Sequence, residues 1–122
     1  MATITRTHND ELGLKGEDLA CEYLTKQGLV VLSRRWKCPD GELDIVATDG
    51  DRLVVCEVKT RSGVAFGTPD EAVSPVKLER IRRLGLHWLS EYNVGWCQIR
   101  VDLVFVLWPP GGQVRLRHLR GA

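Results

Sequence analysis

Gly41-Glu-Leu-Asp-Ile-Val-Ala-Thr48, then Asp49-Gly50-Asp51, then Arg52-Leu-Val-Val-Cys-Glu-Val-Lys-Thr60 is the stretch that decides the fold. Glu42–Thr48 and Arg52–Thr60 have strand length and strand composition, and Asp49-Gly50 between them suits a two-residue hairpin turn. With the turn centred there, Thr48 faces Asp51, Asp44 lies opposite Val55, and Glu42 lies opposite Glu57. Side chains alternate faces along a strand, so Glu42, Asp44, Glu57 and Lys59 project from one side. Leu43, Ile45, Val54, Cys56 and Val58 make the other side apolar. Asp44 and Glu57 become diagonal neighbours, about 7–8 Å apart at the backbone and within reach of one ion. A loop longer by one residue would break that parity.

Three carboxylates on one hairpin face repel one another, and a bound divalent cation would relieve the repulsion. Oxygen donors without a nearby Cys or His favour magnesium or manganese over zinc. Lys59, two residues beyond Glu57, is placed to hold an attacking water or to stabilise charge growing on a phosphate. The chemistry this implies is in-line displacement at a phosphodiester. The plainer alternative is a solvated hairpin on which Lys59 and the acids merely pair.

Outward from the hairpin, Leu12, Leu19, Ala20, Tyr23 and Leu24 predict a helix over Asp10–Gln27, stopped by Gly28. Leu29–Arg35 reads as a strand and Cys38-Pro-Asp-Gly41 as a turn. A loop rich in Gly, Ser and Pro occupies residues 61–74. Ser74-Pro75 then opens a helix to about Tyr92, with Leu78, Ile81, Leu84, Trp88 and Tyr92 as its buried stripe. Gln98–Trp108 is apolar on both faces, the mark of a central strand, and Gln113–Leu119 is an Arg-rich edge strand. The expected architecture is an α/β single domain over 10–122, a mixed sheet flanked by helices in the order α-β-β-β-α-β-β. Residues 1–9 are expected to be a flexible N-terminus. The strand after the second helix should run parallel to Arg52–Thr60.

Length and composition agree with one soluble domain: 122 residues, 43% hydrophobic and 27% charged, are too apolar for disorder. No stretch nears the roughly 20 apolar residues of a membrane span. The N-terminus carries no apolar signal segment, so a cytoplasmic location without membrane association is expected. Cys21, Cys38, Cys56 and Cys97 are scattered, offer no zinc spacing with the three histidines, and are expected to be small buried or half-buried thiols. The net charge of +1 hides an asymmetry. Residues 77–122 carry eight basic residues against three acids, and residues 1–76 carry nine against thirteen. That division suits a nucleic-acid face beside a metal site, and equally two solvated surfaces that neutralise each other.

Gly41-Glu42-Leu43-Asp44 followed by Glu57-Val58-Lys59 resembles the PD-(D/E)XK nuclease motif. The wider pattern adds Gly16-Glu17, Ala20, Tyr23-Leu24, Gly28, Phe66-Gly67, Lys77 and Arg100-Val101-Asp102. It resembles the YraN-like family of small, uncharacterised bacterial proteins, over roughly residues 13–107. That family is similar to archaeal Holliday-junction resolvases, which implies a restriction-endonuclease-like fold. It also implies an endo- or exodeoxyribonuclease acting on branched or single-stranded DNA. Carried over by position, Asp44 and Glu57 are the metal ligands and Lys59 the catalytic lysine. Glu17 matches an acid brought to the metal through a water, and Glu42 fits the Gly-Glu-x-Asp variant. By the same analogy the protein is a homodimer. A non-catalytic nucleic-acid-binding module of the same fold, and an interaction protein that touches no nucleic acid, are the competing readings. For Glu17 the plain alternative is an acid on the solvated face of an amphipathic helix.

Basic residues extend the picture. Lys77, Arg80 and His87 share a helix face, and Arg61 and Lys77 bracket the Gly-rich loop. Arg61, Lys77 and Arg80 are therefore candidates for phosphate-backbone contacts. Lys77 stands in a helical first turn, where a cation opposes the helix dipole. Asp102, next to Arg100 in an apolar strand, reads as a structural partner. Trp36, Trp88, Trp96 and Trp108 read as core or rim, not as a base-stacking platform.

Overall fold

A computed structural model describes residues 8–63 and 74–122. Residues 1–7 and Phe66-Gly67 lie outside the described residues. The elements are α1 (His8–Lys26), β1 (Val30–Cys38), β2 (Gly41–Thr48), β3 (Leu53–Arg61), α2 (Pro75–Glu91), β4 (Ile99–Leu107) and β5 (Arg115–Leu119). Their order matches expectation, although α1 starts two residues earlier than the sequence suggests. It stops where Gly28, at φ 96°, lets the Leu29 amide turn back to the Leu24 carbonyl. At the start of α2 the Ser74 hydroxyl accepts from the Lys77 amide and Pro75 takes the first turn.

The five strands lie in chain order, with every neighbouring pair antiparallel except β3 and β4. The parallel pair needs a crossover, and α2 supplies it. Two separate cores result. Ala20 and Leu24 of α1 pack with Ile45, Ala47, Val54, Cys56, Val104 and Val106 on one side of the sheet. Ile81, Leu84, Trp88 and Leu89 of α2 pack with Trp36, Leu43, Val46, Leu53, Val55 and Val101 on the other. Val54 and Val55 are both fully buried, as a central strand covered on each face requires. Among the described residues no helix is long and apolar enough to cross a membrane.

Three expectations need correction. The β2–β3 connection is a four-residue loop, because the ladder closes at Thr48↔Leu53. The Asp49 carboxylate accepts from the amides of Asp51 and Arg52, and the Thr48 hydroxyl accepts from the Gly50 amide. These side-chain bonds replace the tight backbone turn. The register therefore slips by two residues, which preserves parity. Second, Tyr92 is half exposed, stacking on Trp88 from outside the core, and Leu89 fills the buried stripe. Third, Trp96 is 81% exposed, neither core nor rim.

The alternation of β1 and β2 breaks in mid-hairpin. Leu43 joins the α2-side core, while Ile45 and Ala47 join the α1-side core, so the expected single apolar face of Leu43, Ile45, Val54, Cys56 and Val58 loses Leu43 to the opposite face. The change of phase coincides with Arg35, at φ 50°, and with a ladder that passes from Arg34↔Ile45 to Trp36↔Leu43. An L-residue at positive φ is strained. Here the strain turns Arg34 and Arg35 to the same helix.

Candidate functional site

β2 and β3 pair from Thr48↔Leu53 to Ile45↔Cys56. At the next step Asp44 takes over the ladder's role: its Oδ2 accepts from the Val58 amide at 2.9 Å. A side chain thus fills a place where strand backbone would otherwise pair. Beside it opens a cleft of about 30 Å³ lined by Glu42, Leu43, Asp44, Val55, Cys56, Glu57 and Ile81. That is room for an ion or a water, not for an organic cofactor.

Glu57 projects to the α2 side. Its Oε1 lies 3.2 Å from Lys77 Nζ and 3.6 Å from Lys59 Nζ. Its Oε2 is buried and has no hydrogen-bond partner among the described residues. Burial pushes the Asp44 carboxyl up to about 6; the Val58 amide opposes this, and the charges of Glu17, Glu57 and Glu42 add to it. Four acids therefore act on one small volume.

Of the residues singled out from the sequence, Asp44, Glu57 and Glu42 meet at the cleft, Glu42 at its exposed edge opposite Lys37 of β1. Glu42 does not face Glu57 as the two-residue turn implied, because of the register slip. Glu17 is buried, not solvated, and approaches from α1. Arg35 Nε lies 3.0 Å from its Oε1, and an Arg34 nitrogen lies 3.7 Å away. Lys77 stands at the carboxylates, where Glu57 balances the charge that opposes the helix dipole. Arg61 and Arg80 stay outside the cleft. Arg61 is exposed and donates to the Thr60 carbonyl, and Arg80 reaches the Asp40 carbonyl at 3.4 Å.

Sequence reasoning missed Arg35 and His118. Nothing in the strand pattern marks Arg35, because its reach depends on a positive φ. His118 completes the surroundings of Asp102, which was read as structural and is so. Asp102 accepts from Arg100 Nε and Nη2 at 2.9 Å and from the Gly121 amide at 3.0 Å. His118 Nε2 lies 2.8 Å from the same carboxylate, and its Nδ1 lies 3.2 Å from the Tyr23 hydroxyl.

Known proteins bear out the family resemblance. The description "Uncharacterised protein family UPF0102" matches residues 16–106. A UPF0102 protein of Beutenbergia cavernae is 51% identical over 92% of this chain and 95% of its own length. One of Frankia alni is 50% identical over 93% and 94%. One of Nocardia farcinica is 46% identical over 98% and 95%. Among solved structures, the Holliday junction resolvase Hjc of Archaeoglobus fulgidus is similar with a TM-score of 0.43. It is 19% identical, over 86% of this chain and 75% of that one. Matched from Gly16 to Val106 and sharing about half its residues with these relatives, the chain belongs to the UPF0102 family, the YraN-like family its motifs resemble.

Proposed function

We propose that this protein is a magnesium- or manganese-dependent nuclease that hydrolyses phosphodiester bonds of DNA, with branched or single-stranded DNA as its substrate class. The observation that carries the reading is Glu57 Oε2, a buried carboxylate oxygen without a partner among the described residues, in the same cleft as the Asp44 carboxylate. An unsatisfied buried acceptor is destabilising by about 1–3 kcal/mol. The carboxylate oxygens of the cleft fit a hard divalent ion, while Cys56, which also lines it, packs into the α1-side core. Asp44 and Glu57 would hold it, with Glu42 at the mouth of the same cleft. When bound, such an ion supplies Lewis-acid polarisation of a phosphate oxygen and of an attacking water.

The chain's own residues do the rest. The Lys59 ammonium, 3.6 Å from Glu57 Oε1, stabilises negative charge that grows on the phosphate during in-line displacement. Lys77 adds a second ammonium at the same oxygen. Glu17, tied to Arg35, strengthens the negative field around Asp44 from the opposite side. Arg61 and Arg80 supply sequence-independent contacts to the phosphate backbone outside the cleft.

A second reading is a non-catalytic nucleic-acid-binding module. It is favoured by the ion pairs of Glu57 with Lys59 and Lys77, which neutralise the acid without a metal. Incubation of the full chain with labelled branched, single-stranded and duplex DNA and with RNA, with and without manganese, separates the two. Manganese-dependent cleavage that falls by about 10²–10³ in Lys59→Ala, and disappears in Asp44→Ala, supports the nuclease. Salt-sensitive binding without cleavage supports the module. Absence of binding at moderate salt overturns both.

A further inference from the structure

At the tip of the β1–β2 hairpin three side chains of different chemistry converge, none of them lining the Asp44–Glu57 cleft. Cys38 ends β1, Asp40 lies in the turn, and His87 comes from α2. The Cys38 thiol, an Asp40 carboxylate oxygen and a His87 ring nitrogen all lie within 4.8 Å of one another. Cys38 is a free, half-buried thiol. His87 Nε2 stands 3.6 Å from Asp40 Oδ2, too far for a good hydrogen bond. Arg80 donates to the Asp40 carbonyl, so the Asp40 carboxylate is left to face His87.

We propose that Cys38, Asp40 and His87 form a zinc site that pins the hairpin tip to α2. Zinc takes thiolate, imidazole and carboxylate ligands at about 2.0–2.3 Å, and in a tetrahedron such bonds set ligands about 3.3–3.8 Å apart. The Asp40–His87 separation already falls in that range. A thiol among the converging groups sets this site apart from the cleft, whose Cys56 packs into the α1-side core: sulfur selects a borderline-soft transition metal, carboxylate oxygens a hard one. An ion pair between Asp40 and His87, 66% and 45% exposed, would contribute little by itself and would have no use for a thiol.

The backbone holds the three donors together. A Cβ at Gly41 would come within 3.1 Å of a Leu84 methyl and 3.2 Å of the Arg80 guanidinium. The turn is thus seated on α2, on the face that carries Arg80, Leu84 and His87 at helical spacing. Sequence spacing does not reveal the set, because Cys38 and Asp40 belong to a hairpin and His87 to a later helix. The two sets of side chains do not overlap, although Glu42 at the mouth of the cleft is two residues from Asp40. Lys77, which serves Glu57, and His87 are about 15 Å apart along α2.

The test is titration of the reduced, metal-free full chain with Co2+ as a spectroscopic probe for zinc. We expect a thiolate-to-cobalt charge-transfer band that saturates at one equivalent, is displaced by Zn2+ and is unaffected by Mg2+. Cys38→Ser and His87→Ala should abolish it. Cys97→Ser and the double variant Asp44→Asn/Glu57→Gln should retain it. Zinc should raise the Tm of the unmodified chain and leave that of Cys38→Ser unmoved, with far-ultraviolet circular dichroism establishing that each variant is folded. No band, a band that survives Cys38→Ser, or one lost in the Asp44→Asn/Glu57→Gln variant would overturn the proposal.

Discussion

Asp102 and Glu57 are carboxylates on adjacent strands, each one register step from the other, and the fold treats them oppositely. Asp102 is completely buried yet fully supplied with donors. Burial alone would raise its pKa, but the Arg100 guanidinium, the Gly121 amide and the His118 ring outweigh burial and hold it below the usual carboxylate value. Among the described residues Glu57 keeps one oxygen with two ammonium groups and the other without a partner. Asp44 beside it has the Val58 amide and a surplus of negative neighbours. Asp102 has its donors built in, as a structural acid requires; the unsupplied oxygen of Glu57 is where the proposed function would place a cation. The contrast separates the two better than burial does, since the structural acid is the more deeply buried.

The sharpest way to break the comparison is to disarm the supplied acid. Asp102→Asn leaves Arg100 without its charged partner and should destabilise the fold by about 3–5 kcal/mol, read by urea unfolding. Little change would mean that the network is dispensable. At the undersupplied acid the expected sign reverses. Glu57→Gln should weaken manganese binding by more than about tenfold in calorimetry while leaving the Tm unchanged or higher, since charge repulsion falls. Unchanged manganese affinity would remove Glu57 from the ligand set.

Asp44 gives a pH signature in the metal-free protein. Its folded pKa of about 6 lies above the ordinary 3.8, so the folded state holds the proton more tightly. Stability should therefore fall as pH rises from about 4 to about 6 and stay lower above that window. Asp44→Asn keeps an acceptor for the Val58 amide, should abolish this slope, and should be more stable at pH 7–8. Solvent screening of a half-buried group limits the gain to about 1–2 kcal/mol. The smallest effect belongs to Tyr23→Phe, which removes one bond to His118 and should lower stability by about 0.5–1.5 kcal/mol in the same unfolding assay.

Much of the fold was legible because it rests on local rules. Ser74-Pro75, the stop at Gly28 and the doubly apolar strand around Val104 each dictate one structure. The shared face of Glu57 and Lys59 followed from strand period. What escaped depends on competition between groups. The Asp49 carboxylate outbid the backbone for the amides of the β2–β3 loop, so an Asp-Gly signal that suits a tight turn gave a wider one. Lys77 was marked by its unfavourable place in a helix, but its partner lies on another element. The pairing of Glu17 with Arg35, and the meeting of Cys38 with His87, arise only after α1 and α2 have docked. A linear pattern holds no record of docking.

The left-handed residue in β1 has a consequence for mutational tolerance. On the Ile45–Thr48 side of Arg35, odd positions of β2 answer to the first helix; on the Gly41–Leu43 side they answer to the second. A scan of polar substitutions along β2 should therefore find Leu43 and each of Ile45, Val46 and Ala47 intolerant, with the helix that odd positions answer to changing at Asp44. Flattening that junction would force one half of the strand to present its side chains to the wrong core.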